Sequence, residues 1–164
     1  MQRIIMEKLA AWKDADKRKP LVLTGVRQCG KTYILQEFGK TYFEDVAYLN
    51  FEKHPELSSI FDFNYDVERI IDDLGSIAVG KPIVEGKTLV IFDEIQACPK
   101  AITALKYFCE DKRNLHLVAA GSLLGVALKS EGISFPVGKV DRLMMYPMNF
   151  MEFVKADGGE KYLK

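Results

Sequence analysis

Four residues in the stretch TGVRQCGKT have types and spacing that suit phosphate chemistry. Gly25, Gly30, Lys31 and Thr32 fit the pattern G-x-x-x-x-G-K-[ST] without a mismatch. The glycines permit backbone angles and close approaches that a Cβ would block. Successive N–H groups can then converge on phosphate oxygens, and a helix opening near Lys31 adds its positive end. Lys31 supplies a mobile charge for the β- and γ-phosphates, and Thr32 offers a hydroxyl to Mg²⁺. Val26, Arg27, Gln28 and Cys29 inside the loop, with Tyr33 after it, complete the candidate nucleotide contacts. Arg27 could reach phosphate or a partner, although loop-tip arginines are more often solvated. A second acidic element lies in LVIFDEIQ, where an apolar run ends in Asp93 and Glu94. Ligands of open α/β sheets bind beyond the carboxyl ends of strands. These two carboxylates are therefore expected to face Thr32, with Asp93 holding Mg²⁺ through its water shell and Glu94 polarising a water.

The elements that must position these groups can be read from the same chain. Ile5, Leu9 and Trp12 fall on one helical stripe, which the polar run KDADKRKP ends. LVLTG is a short buried-type strand, KTYILQEFGK a helix with Gly39 as its expected C-cap, and DVAYLNFE a second strand. HPELSSIFD and YDVERIIDDLGSIAVG read as helical, and KPIVEGK as a loop. TLVIFDE is a third strand. A helix from Pro99 carries Ile102, Leu105, Phe108 and Cys109 on one face. LHLVAAGS is a fourth strand, LLGVALKS a short helix, GKVDRLMMYP a fifth strand and NFMEFVKA a helix capped by Asn149. Strands apolar along their length, alternating with helices, predict an α/β fold with a mainly parallel sheet covered on both faces.

A strand order of 5-1-4-3-2 would set Ser122, at the end of the fourth strand, between the phosphate loop and Asp93. Ser122 is then a candidate contact for the γ-phosphate or the water, and equally a candidate helix N-cap. Asn50 could pair with Glu94, or serve a strand-end turn. Gln96 could respond to nucleotide or cap the next helix.

Together GVRQCGKT, LVIFDEIQ, AAGSLLG and YPMNFMEF resemble the AAA-superfamily ATPases of bacteria and archaea that usually carry a C-terminal domain of unknown function. The resemblance runs from LAAW to FMEFVKA. It implies a three-layer P-loop NTPase core with five strands, ATP with Mg²⁺, and a hydrolysis-competent Asp-Glu pair. It implies one ATPase domain over residues 1–156, with 1–19 as an N-terminal helix and basic linker. Residues 157–164 would be a tail leading to a further domain outside this chain. Where the family commonly has an arginine before its last strand this chain has Lys139, so Arg142 becomes the candidate arginine finger. The expected lid helices are missing, which implies slow hydrolysis by this segment alone.

Composition limits the partners. The 164 residues carry 23 basic and 23 acidic side chains, so no overall positive charge draws the chain to nucleic acid. The basic cluster at 17–19, and Lys100, Lys106, Lys112 and Arg113, read as solvated faces more readily than as a nucleic-acid surface. No apolar run is long enough to span a bilayer, and no membrane partner is expected. Three cysteines without metal-ligand spacing, and two histidines without ligand-spaced partners, suggest neither a disulfide framework nor a zinc site. A cytoplasmic setting is the default reading. The expected activity is ATP hydrolysis, with a homo-oligomer and an unidentified protein client compatible with it. The alternative is a slowly hydrolysing, nucleotide-dependent switch that acts through a partner or further domain. A nucleic-acid-associated motor component ranks below both.

Overall fold

The computed structural model describes residues 4–26, 29–121 and 136–147. The described elements are α1 (Ile4–Asp14), β1 (Leu21–Gly25), α2 (Lys31–Tyr42), β2 (Asp45–Asn50), a 3₁₀ segment (Pro55–Phe61), α3 (Val67–Asp73), a π-helical segment (Leu74–Val79), β3 (Thr88–Asp93), a 3₁₀ turn (Ile95–Ala97), α4 (Pro99–Asp111), β4 (His116–Gly121) and β5 (Asp141–Met145). The strands lie in the order β2-β3-β4-β1-β5, and every pairing is parallel. That is the order 5-1-4-3-2 expected from the sequence. β1, which leads into the glycine-containing loop before α2, sits between β4 and β5. The expected helices LLGVALKS and NFMEFVKA, and the tail after residue 156, lie outside the described residues.

The period of two along each strand sorts side chains into two cores. Val22, Ala47, Leu49, Val90, Phe92, Leu117 and Ala119 pack with α3, α4 and the 3₁₀ segment. Leu21, Leu23, Leu89, Ile91, Val118 and Ala120 pack on the other face with α1 and α2. This parity also directs the site. Asp93 continues the Leu89–Ile91 row and Tyr48 the Val46 row, so both belong to the face that α2 covers.

Two expectations about local structure change. Gly39 does not close α2. The helix runs on to Tyr42, and Phe43 caps it with an N–H donated to the Gly39 carbonyl. Gly39 is buried, and a Cβ there would meet Val46 Cγ2 at 2.4 Å. Its small size lets α2 lie close on β2, which local sequence cannot reveal. HPELSSIFD forms a 3₁₀ segment, and α3 passes into a π-helical turn that ends at Gly80, at φ 79°.

The basic residues are largely engaged in structure. The Arg18 guanidinium donates to the Lys13, Arg113 and Asn114 carbonyls, so it ties the end of α1 to the α4–β4 turn. Lys100 pairs with Asp62, Lys112 with Glu68 and Glu85, and Lys139 with Glu110. These pairs are exposed and contribute little stability. They do give Lys100, Lys112 and Lys139 carboxylate neighbours, while Lys106 lies over the Tyr107 ring.

His116 opens β4 at the end of the sheet away from the phosphate loop. Its ring meets Trp12 edge-on at 5.8 Å and Phe43 at 4.9 Å. Burial, reinforced by the Arg18 charge, lowers its pKa from 6.5 to about 4. The unfolded chain therefore takes up a proton that the folded chain refuses. The sign follows: the contribution is fully present above pH 6.5 and is lost as pH falls toward 4. Denaturant titrations of the wild type and His116→Phe are expected to diverge as pH drops. The wild type should lose about 2 kcal/mol more than the variant between pH 7 and pH 5. Parallel pH profiles would contradict the buried neutral imidazole.

Candidate functional site

β1 ends at Gly25, whose partner in the adjacent strand is Met145. A Cβ on Gly25 would lie 2.5 Å from the Met145 carbonyl oxygen and 3.0 Å from Cys29 Sγ. Only glycine lets the chain leave the sheet so close to β5. Gly30 stands at the N-terminal edge of α2 with φ 90°, a left-handed conformation that L side chains rarely adopt. Its carbonyl accepts the first α2 hydrogen bond, from Ile34 N–H at 3.0 Å. Both glycines of the motif therefore have a steric reason. Val26 and Tyr33 are exposed at the rim of this loop, Cys29 is buried beneath it, and Arg27 and Gln28 lie outside the described residues.

Lys31 is nearly enclosed, at 7% exposure. Its ammonium donates to the Gly25 carbonyl at 3.0 Å and the Val26 carbonyl at 2.8 Å, and lies 3.7 Å from Cys29 Sγ. A flexible cation held by two neutral carbonyls in the loop can exchange them for phosphate oxygens at short range.

The Thr32 hydroxyl donates to Asp93 Oδ2 at 2.7 Å, across 61 residues of sequence. Asp93 is 2% exposed. Its Oδ1 accepts the Glu94 N–H at 2.9 Å. Tyr48 also donates to Asp93 Oδ2, and the Asn50 amide reaches the same phenol at 3.4 Å. Burial, ahead of the bond to Asp93, pushes the Tyr48 phenol up to about 12, so at neutral pH it is a donor. Tyr48 is absent from the sequence expectations. Period-two parity in DVAYLN puts it on the Asp93 face only in the register that sets Asn50 opposite Asp93, which the sequence does not show. A hydroxyl beside a buried carboxylate is a hard oxygen donor set that suits Mg²⁺. Such a site needs few protein ligands, since water and substrate phosphates complete the shell. Among the described residues no group of three or more His, Cys, Asp or Glu forms a protein cage for a metal.

Glu94 follows directly and is the described non-glycine residue with positive φ, 51°. Holding a glutamate in this region costs about 1–3 kcal/mol, and such strain clusters at functional sites. Its carboxylate accepts from Gln96 Nε2 at 2.5 Å, while Gln96 Oε1 is buried without a partner among the described residues. Gln96 thus binds Glu94 and does not cap α4, whose N-cap residue is Cys98. Asn50 is not the partner of Glu94. Its Oδ1 accepts the Glu52 and Lys53 N–H groups, the strand-end turn anticipated as its other role.

Ser122 directly follows the end of β4 and lies outside the described residues. The strand that leads to it does run between β1 and β3. Arg142 is exposed on β5, opposite Val22 and three residues before the Met145 that pairs with Gly25. That offset is about 10 Å along the strand, so Arg142 does not adjoin its own phosphate loop. Lys139 pairs with Glu110 of α4.

A parallel sheet in this order, with the glycine loop leading from its β1 strand into α2, defines an α/β nucleotide-binding module of the P-loop ATPase type. The chain belongs to the AAA domain family, whose model matches residues 17–154. Among solved structures it is similar to the Aeropyrum pernix Orc1 protein, determined in complex with DNA. That likeness has a TM-score of 0.52 at 17% identity and covers 95% of this chain. The chain spans about half of that protein, 47% of its length. At this identity the similarity concerns the fold. No curated protein sequence matches the chain. Among the described residues no helix is long and apolar enough to cross a membrane.

Proposed function

We propose that this module binds ATP with Mg²⁺ in the loop from Gly25 to Thr32, with Tyr33 at its rim, and hydrolyses it. The Thr32–Asp93 hydrogen bond carries the reading. It unites the start of α2 with the end of β3 and sets a hydroxyl beside a buried carboxylate, an oxygen pair that supports the reading of a nucleotide-bound cation there. Mg²⁺, when bound with ATP, would neutralise charge on the β- and γ-phosphate oxygens. Thr32 would offer it a hydroxyl lone pair, and Asp93 would hold its water shell. The backbone N–H groups of residues 25–32 would cradle the phosphates, and Lys31 would leave the Gly25 and Val26 carbonyls to bind them. Glu94 would orient the attacking water and accept its proton at the oxygen that Gln96 leaves open. Ser122 is retained as a candidate γ-phosphate contact. Arg142, exposed on the strand that pairs with β1, would reach nucleotide in a neighbouring copy and not in its own chain.

A second reading is a slow nucleotide-dependent switch. It is favoured by the internal hydrogen bonds that hold both Lys31 and Glu94. Output would then pass to a partner protein, a second copy or a further domain. DNA is the ligand in the Orc1 structure. For this chain the carboxylate partners of Lys100, Lys112 and Lys139 weigh against a DNA-binding face along α4. The buried thiols of Cys29, Cys98 and Cys109, none in a disulfide, agree with a cytoplasmic setting.

The deciding experiment is calorimetric ATP binding in Mg²⁺, followed by phosphate release with and without duplex DNA. Binding with release is expected. Binding without release would favour the switch, and no binding at millimolar ATP would overturn both readings.

A further inference from the structure

Asp93 receives more support than the phosphate-loop and Asp-Glu motifs supply. Its carboxylate accepts three hydrogen bonds: from Thr32 and Tyr48 at Oδ2, and from the Glu94 N–H at Oδ1. An ionised carboxylate offers about four lone-pair positions. With both donors in place Oδ2 is saturated, and the remaining position lies on Oδ1. A threonine hydroxyl can donate its proton and still present a lone pair elsewhere, so Thr32 need not leave Asp93 when it meets a cation. Tyr48 is different, because its phenol has no place in the motif and comes from the neighbouring strand β2. Its ring packs in the α2-face core, while its hydroxyl is aimed at the carboxylate.

We propose that Tyr48 is a positioning residue of the magnesium site. Its phenol fixes the rotation of the Asp93 carboxylate so that the Oδ1 lone pair faces the metal's water shell. The proposal rests on the reading of Thr32 and Asp93 as the magnesium-binding pair. Without the phenol, Oδ2 keeps only the Thr32 donor, and the carboxylate loses one of the three hydrogen bonds that set its rotation about the Cβ–Cγ bond. Hydrogen bonds that orient a metal-binding carboxylate typically govern metal affinity by one to two powers of ten. Tyr48 also accepts from the Asn50 amide, and Asn50 anchors the turn after β2 through Glu52 and Lys53. The orientation of Asp93 is therefore coupled to the end of β2 as well as to the loop.

The test is Tyr48→Phe, which keeps the ring and removes only the hydroxyl. ATP affinity of the same chain is measured calorimetrically across a Mg²⁺ series and in excess EDTA, with Asp93→Asn as the reference for a lost metal response. The expected result is a half-saturating Mg²⁺ concentration raised about tenfold, with affinity in EDTA within about twofold of wild type. An unchanged Mg²⁺ half-saturation overturns the proposal, even if turnover falls. Equal weakening at every Mg²⁺ concentration, EDTA included, also overturns it, because that marks a packing role. A wild type whose ATP affinity ignores Mg²⁺ overturns the underlying magnesium reading and this proposal with it. A wild type that responds beside an unaffected variant overturns this proposal alone.

Discussion

Glu94→Gln is expected to bind ATP as the wild type does and to lose turnover by about 10²–10⁴-fold, the usual contribution of a positioned general base. The substitution is nearly isosteric, and its side-chain carbonyl can still accept the Gln96 amide that Glu94 accepts at 2.5 Å. The backbone cost of the left-handed conformation at φ 51° is the same for both residues. What disappears is the charge that draws a proton from water. Single-turnover phosphate release beside calorimetric affinity separates the two effects. A variant with wild-type turnover would sink the Glu94 assignment and leave the nucleotide site standing.

The second large effect belongs to Lys31. Lys31→Ala should weaken ATP binding by about 10–100-fold, the value of a charged hydrogen bond converted to affinity. The lysine now joins the Gly25 and Val26 carbonyls, so it holds the loop together before any phosphate arrives. Its loss therefore removes both a phosphate partner and a clasp of the loop. Lys31→Arg is the informative companion. It keeps the charge, but its planar fork does not fit a space where the lysine is only 7% exposed. Calorimetry should show the alanine variant weakened in EDTA as well as in Mg²⁺, because Lys31 acts on phosphate directly. Affinity equal to wild type would remove Lys31 from the cradle.

The sequence by itself determined the strands of the sheet and singled out Thr32 and Asp93, which the fold brings together. Strand and helix periodicities act over a few residues, so they survive being read without the fold. Apolar runs at Leu21–Gly25, Thr88–Asp93 and His116–Gly121 became interior strands, and the expected order was observed. The motif glycines carried their own steric logic, which the close approach of Met145 to Gly25 and the left-handed Gly30 bear out.

Tertiary structure decided the partners. Tyr48 and Asp93 are 45 residues apart and meet only because β2 pairs with β3 in one register, with Asn50 opposite Asp93. Gly39 looked like a cap because caps are local, whereas its role is set by Val46 across a packed interface. Arg18 looked solvated because its acceptors are backbone carbonyls, which have no sequence signature. Glu94 was identified from its neighbours in the chain, but its strained backbone and its bond to Gln96 appeared only with coordinates. The physical reason is common to these cases. Side-chain chemistry and short-range periodicity are written locally. Register, close approach and hydrogen-bond partnership depend on where two distant segments of the chain come to rest.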